Sequence, residues 1–419
     1  MKVKSLFILT CAIAALTSCS QNDDEIPGID SSAPEAKVVI KVTGNGNQSD
    51  SRATGLPDNT TLLASNQKVN DLTVFVFNSS GNVITKKYIG SPAQGANEVS
   101  TTTDAKEVAV VTNTGDQTGS GGIFVAVSNK TAFKAVLANM LATATDPTGA
   151  VTQRDDNLYM SGLGTLTNFA LDDAVMKANV TITLNYLSAR IQLKKVSFNG
   201  KAVNDNNYVQ ANSFDASDDA NFTITRVYLM NVQRATHFLP ATTGGTDYIA
   251  QGDKQYTGGV VWSDPWTSGT PNEYQPNNEY TIEAGSANFT ANANSISDIG
   301  HWYTFANTGV SDINKNPTAL VVEVKWRKTQ ADPGHSIPKA DQTLYFTVYF
   351  GGGDQAELEP GKVYDVSLAL NGNFKPTNDG GTGGGGTEDP SKPTISSAIE
   401  VTVTPATWTL APEISKEWT

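Results

Sequence analysis

The chain has 419 residues, more than one ordinary domain holds, and a net charge of −13 that excludes nucleic acid as a partner. Hydrophobic residues are 38%, charged residues 17%, and 36 glycines sit among abundant Thr, Asn, Ser and Val, a mixture that disfavours helix bundles and favours many short strands. The only cysteines, Cys11 and Cys19, lie near the start, and three histidines are scattered, so no thiolate site, zinc site or cofactor is expected in the folded body.

In chain order, Met1–Lys4 is a short basic start and Ser5–Leu16 an apolar run of about a dozen residues, signal-peptide length and too short to span a bilayer. It ends in Leu16-Thr-Ser-Cys19, which looks like a bacterial lipobox: the Cys19 thiol takes diacylglycerol and the chain is cut just before it. Residues 1–18 are thus read as a signal peptide, and lipid on Cys19 as the only membrane attachment of the precursor. The acidic stretch Ser20–Glu25 opens a polar tether.

Lys37–Val42 is a predicted strand with Val38, Ile40 and Val42 on one face and Lys37, Val39 and Lys41 on the other. Behind it, Thr43–Ala53 is a loop of small polar residues with one basic side chain, Arg52, the kind of tip that proteases cut. Further strands are expected at Asp71–Asn78, Glu107–Val111 and Ile123–Val127. An amphipathic helix is expected at Thr131–Ala142, where Phe133, Val136, Leu137, Met140 and Leu141 recur at helical spacing. Asn157–Gly162 and Val180–Leu184 finish a first β domain, residues 53–187.

A second, residues 188–375, has predicted strands at Ala189–Phe198, Asn221–Asn231, Thr318–Trp326, Leu344–Phe350 and Lys362–Leu370. Between them, residues 200–220 and 240–316 read as long polar surface excursions. Residues 376–393 form a Gly-rich flexible linker. The last segment, 394–419, carries Ile399, Val401 and Val403 on one face, then Ala406, Trp408 and Leu410 after Pro405, one strand with a break at the proline. It is too short to fold alone and must pair with a sheet elsewhere. Its trio Ile399/Val401/Val403 has the spacing and chemistry of Val38/Ile40/Val42, so either could fill the same groove.

Other constellations are weak. Gly381–Gly386 matches a dinucleotide fingerprint only inside the linker. Asp215, Asp218 and Asp219 lack the glycine and bidentate Glu of a calcium loop. Trp262, Trp266, Trp302 and Trp326 are candidates for a sugar-stacking platform, with core packing expected for Trp326.

Taken with the lipobox, Arg52-Ala53, Asn157–Gly162, Tyr303–Thr308, Leu358–Tyr364 and the Ile399–Leu410 segment, the chain resembles the fimbrillins, shaft subunits of the type V pili of Bacteroidota. The resemblance implies an all-β fold of two tandem transthyretin-like β-sandwich domains with one short helix and a C-terminal donor strand. It implies no enzyme activity, and a precursor that is an outer-membrane lipoprotein. An Arg-specific protease cuts at Arg52-Ala53 and frees the propeptide, residues 19–52, with its strand 37–42. The donor strand of a neighbouring copy, Ile399, Val401, Val403, Trp408 and Leu410, then fills the groove. Self, as a head-to-tail polymer, and accessory anchor and tip subunits are the implied partners. A surface glycan-binding lipoprotein that does not polymerise is the alternative reading.

Overall fold

The structure is a computed structural model describing residues 33–44, 69–93, 96–139, 157–198, 222–242, 245, 247–257, 280–282, 287–288, 295–327, 341–370 and 399–407. Its N-terminal half holds β1 (Glu35–Gly44), β2 (Leu72–Asn78), β3 (Val83–Ile89), β4 (Ala96–Thr102), β5 (Ala105–Thr112), the helix α1 (Lys130–Ala135), β6 (Leu137–Asn139), β7 (Met160–Thr165), β8 (Ala170–Asp172) and β9 (Val175–Tyr186). The C-terminal half holds β10 (Ser188–Phe198), β11 (Phe222–Met230), β12 (Val232–Gln233), β13 (Ala235–His237), β14 (Tyr256–Thr257), β15 (Tyr280–Ile282) and β16 (Ala287–Asn288). It continues with β17 (Ser295–Phe305), β18 (Thr318–Arg327), β19 (Asp341–Phe350), β20 (Lys362–Leu370) and β21 (Ile399–Thr407). The fold is all-β, with α1 as the one α-helix among the described residues.

The N-terminal strands pair in the order β3-β2-β5-β7-β9-β1-β4, with β8 on β9. β7 meets β9 over only two pairs, Met160↔Tyr186 and Ser161↔Asn185, and there the sheet folds over into two layers. Glycine permits that crossing: a Cβ on Gly162 would stand 2.3 Å from the Thr183 carbonyl oxygen, and one on Gly164 2.6 Å from Val180. The two ends approach again where the Thr85 hydroxyl of β3 donates to the Ser100 carbonyl of β4 at 3.0 Å.

β2 is buried on both faces, which is why Val74–Phe77 is apolar at every position without alternation. Leu72, Val74 and Val76 face the core between the layers, while Phe75 and Phe77 face a second core that continues into the C-terminal half. There Phe75, Phe124, Phe133 and Phe238 pack ring against ring, with neighbouring centroids 4.7–6.4 Å apart. Phe238 follows β13, which pairs with β6 across the two halves.

The C-terminal half stacks two sheets, β17-β10-β20-β21 and β15-β11-β18-β19 with β16 on β11. Trp302, Leu320, Val322, Phe346, Val348, Tyr364, Val366 and Leu368 fill its core. Four segments distant in sequence meet at the junction. Leu187 N–H donates to Tyr159 O at 3.1 Å, Ala306 N–H to Leu187 O at 3.2 Å, Asn307 N–H to Leu358 O at 2.8 Å and Gly361 N–H to Ser188 O at 2.8 Å.

Several expectations are corrected. Ile123–Val127 is a run of turns, held by Phe124 N–H to Gln117 O and Val127 N–H to Phe124 O, with Ile123 and Val125 39% and 52% exposed. Phe124 and Val127 anchor it in the core, so an apolar run here marks two buried side chains on a turn and not a ladder. The helix stops at Ala135, because Val136 turns extended and Leu137–Asn139 is drawn into pairing with β13. Residues 295–305 are no surface excursion: they form β17, and Trp302 is 1% exposed inside the core, which removes it from any sugar platform. β21 runs through Pro405 without a register break. Trp262 and Trp266 lie outside the described residues, as do Asp215, Asp218 and Asp219.

Candidate assembly site

β1 sits inside a sheet. From Ala36 to Lys41 every residue pairs on both sides, antiparallel with β4 (Val38↔Val99, Ile40↔Asn97) and parallel with β9 (Val38↔Ala178, Ile40↔Val180). Among the described residues Val42–Gly44 pair with β9 alone, ending at Gly44↔Leu184. Strict alternation decides the faces. Val38 and Ile40 are fully buried among Val76, Val99, Val180 and Ile182, and Val42 packs partly against the same core. Full burial of each such side chain is worth about 1.5–3 kcal/mol relative to exposure.

The outer face carries charge. Lys37 Nζ lies 3.0 Å from Glu98 of β4, and Lys177 of β9 reaches Glu98 at 3.4 Å and Asp172 at 3.0 Å. The hydrogen bond from Lys37, followed by that from Lys177, holds the Glu98 carboxyl below its ordinary range. Lys177 is raised by its bonds to Asp172 and then Glu98.

β21 sits at an edge. Among the described residues it pairs only with β20, antiparallel from Lys362↔Thr407 to Leu370↔Ile399, and ends its sheet. The register sets Val401 opposite Leu368 and Val403 opposite Val366, both core residues of β20. Pro405 faces Tyr364, at the kind of edge position that tolerates a residue without an N–H. The two strands that sequence singled out are therefore both docked within one chain, in different sheets.

Cys19, Arg52, Ala53, Trp408 and Leu410 lie outside the described residues. Of the two strands that grip β1, the sequence showed part of β9, Val180–Leu184, but not β4. The inward residues of β4 are Asn97, Val99 and Thr101, too polar for the alternation to show. Among the described residues no group of three or more His, Cys, Asp or Glu could hold a metal. No helix there is long and apolar enough to cross a membrane.

The arrangement is shared with solved structures of fimbrial and adhesive proteins. A candidate cell adhesion protein from Bacteroides eggerthii DSM 20697 superposes with a TM-score of 0.59 at 25% identity, over 90% of this chain and 97% of that one. A candidate cell adhesion protein from Parabacteroides distasonis ATCC 8503 gives 0.51 at 16% identity, over 90% and 98%. A fimbrilin (FimA) from Porphyromonas gingivalis W83 gives 0.51 at 14%, also over 90% and 98%. No curated protein matches by sequence.

The major fimbrial subunit protein (FimA) family model matches residues 36–209, and the C-terminal domain of the FimA-like major fimbrial subunit proteins matches residues 221–408. Together they run from β1 to β21, and the chain belongs to this family. It is a structural subunit of cell-surface fimbriae, a class of building blocks and not of enzymes.

Proposed function

We propose that the chain is a shaft subunit made as a lipoprotein on Cys19, matured by cleavage between Arg52 and Ala53, and polymerised by strand exchange. Cleavage severs β1 from the rest of the molecule, β1 leaves, and the Ile399–Leu410 segment of another copy takes its place by β-strand addition. Anchor and tip subunits of the same fimbria are the accessory partners, and adhesion is the role the fibre supports.

One observation carries this reading. β1 is held by two ladders and buries Val38 and Ile40, yet it lies N-terminal to a single-Arg loop, while a strand of matching alternation waits at the other end of the chain. N-terminal sequencing of assembled fibres tests it. Ala53 is the expected first residue. A lipidated Cys19, or a start just past Lys68, would overturn the maturation scheme.

A further inference from the structure

The floor of the β1 slot does not stop where β1 stops. Tyr186 at the end of β9, Tyr303 of β17 and Val363 of β20 belong to the same core that Val38 and Ile40 cover. Between Tyr303 and Val363, paired with both, stands Arg190 of β10. Arg190 is 4% exposed, with its guanidinium carbon 5.8 Å from the centre of the Tyr303 ring. Its Nε and Nη1 have no hydrogen-bond partner among the described residues. Asp365, two residues along β20 from Val363, is already paired with Lys194 at 3.2 Å. A buried cation with open donors is costly, and the planar fork of a guanidinium fits a carboxylate with two parallel bonds.

Resting on the strand-exchange reading above, we propose that Arg190 is the anchor point for a carboxylate on the incoming C-terminal segment of a second copy, and that this carboxylate is Glu413. Register supplies the assignment. With Ile399, Val401 and Val403 in the places of Val38, Ile40 and Val42, Pro405 falls at the place of Gly44, where among the described residues β1 pairs on one side only. Gly44 is level with Leu184, and Arg190 stands six residues further along the chain, past the bend at Leu187 that separates β9 from β10. Ala411 is likewise six residues beyond Pro405, so Glu413 arrives within two residues of the Arg190 level. Glu417 overshoots by six. Trp408 and Leu410 cross the apolar stretch before it. Arg190 thus fixes how far the strand slides in.

The test uses the full chain cut after Arg52 and a fluorescent peptide of residues 394–419. The unmodified peptide should bind. Glu413→Gln should weaken it about ten- to hundredfold, the range expected for a charge-assisted bond. Glu417→Gln should stay within about twofold, as expected of a solvent-exposed charge. On an Arg190→Gln protein the Glu413→Gln penalty should vanish, the signature of direct coupling, and Arg190→Lys should restore part of it. Equal binding of the unmodified and Glu413→Gln peptides overturns the proposal while leaving strand exchange standing, and so does a penalty carried by Glu417 alone. Should Arg190→Gln fail to fold, the peptide series on the unmodified protein still decides. If the unmodified peptide binds no better than one carrying Val401→Asp, strand exchange itself fails and this proposal falls with it.

Discussion

β1 and β21 are strands of nearly equal length and like alternation, but the sheet treats them differently. β1 is gripped on both sides and its inner side chains are sealed in; β21 has, among the described residues, one neighbour and an open side. An edge strand that moves into a two-sided slot gives up one ladder and gains two. On the proposed reading this difference favours insertion once the cut β1 has left its slot, since the incoming strand then forms two ladders in place of one, while the departure of β1, which gives up two, has to come first. It also explains why a protease is needed. A strand held by two ladders leaves slowly, and one still joined to the rest of its subunit returns at high effective concentration.

The largest effect should come from removing the cut. Arg52→Ala is expected to leave a folded precursor that forms no polymer, with β1 in its own slot. Ladders of normal length containing uncut chains would break the comparison at its root.

Next in size are charges placed on the two strands. Ile40→Asp puts an unpaired carboxylate in a site of zero exposure and should destabilise the precursor by several kcal/mol in denaturant melts. Val401→Asp should lower polymer length far more than it lowers monomer stability, because β21 lies at an edge. Thr402→Asp, one residue on and therefore on the opposite face, should change neither measurably. Equal effects of Val401→Asp and Thr402→Asp on polymer length would refute insertion in this register.

A backbone test follows. Gly162→Val drives a side chain into the Thr183 carbonyl where β9 crosses β7, and should cost at least about 1–3 kcal/mol of stability, since backbone cannot yield as a side chain does. Gly121, with open space where its Cβ would go, tests the opposite limit. There φ is +85°, so Gly121→Ala should show backbone strain alone, and a smaller loss.

How much of this was legible beforehand depends on which face of a strand carries the signal. Lys37–Val42 and Lys362–Leu370 alternate cleanly, and their strands appear where the pattern put them. β3, β4 and β17 escaped. β4 turns Asn97 and Thr101 inward, and β17 begins Ser-Ile-Ser-Asp before reaching its buried Trp302, Tyr303 and Phe305. The Ile123–Val127 run misled for the converse reason, being apolar where only Phe124 and Val127 are buried. At the candidate site, the two key strands were readable from their own residues, as were β20 and part of β9 beside them, whereas β4 and the pairing itself were not. Pairing is a property of the partner's register, which one strand's sequence does not contain. Arg190 gave no signal at all, since one Arg in a strand looks like an outward residue until the other half of the molecule covers it.

A pH test probes a contact on which neither strand depends. Lys254, just before β14, donates to Asn307 Oδ1 at 3.0 Å and to the Thr308 carbonyl. Burial pulls it down to about 8, against the attraction of Glu357 and Asp247. A lysine depressed in the fold binds its proton more weakly there than in the unfolded chain, near 10.5. Stability should therefore rise as pH climbs from about 8 towards 10.5, and the gain is absent below 8. Tyr248 and Tyr256, pushed up to about 12 by burial, act in the opposite sense above pH 10, so the clean window is pH 8–9.5. The urea midpoint should climb gently there, and Lys254→Met should flatten the climb while leaving polymer length unchanged.

The smallest effect belongs to the charged row over β1. Lys37, Glu98, Lys177 and Asp172 lie on the solvent side, where ion pairs are screened and held at an entropic cost. Glu98 nevertheless titrates low because Lys37 and then Lys177 hydrogen-bond its charged form. A carboxyl depressed in the fold contributes stability that is present above its unfolded value and lost as pH falls through its folded one. The contribution should thus be full at neutral pH and fade below about 4.5, the ordinary glutamate value. When β1 departs, Lys37 goes with it and Lys177 remains. The Glu98 carboxyl should then move upward towards the ordinary value without reaching it, a shift that carboxyl NMR can follow in cut and uncut protein. A Glu98 that titrates alike in both, while the fibres still begin at Ala53, would mean that β1 stays in its slot after cleavage, and the asymmetry between the two strands would lose its role in assembly.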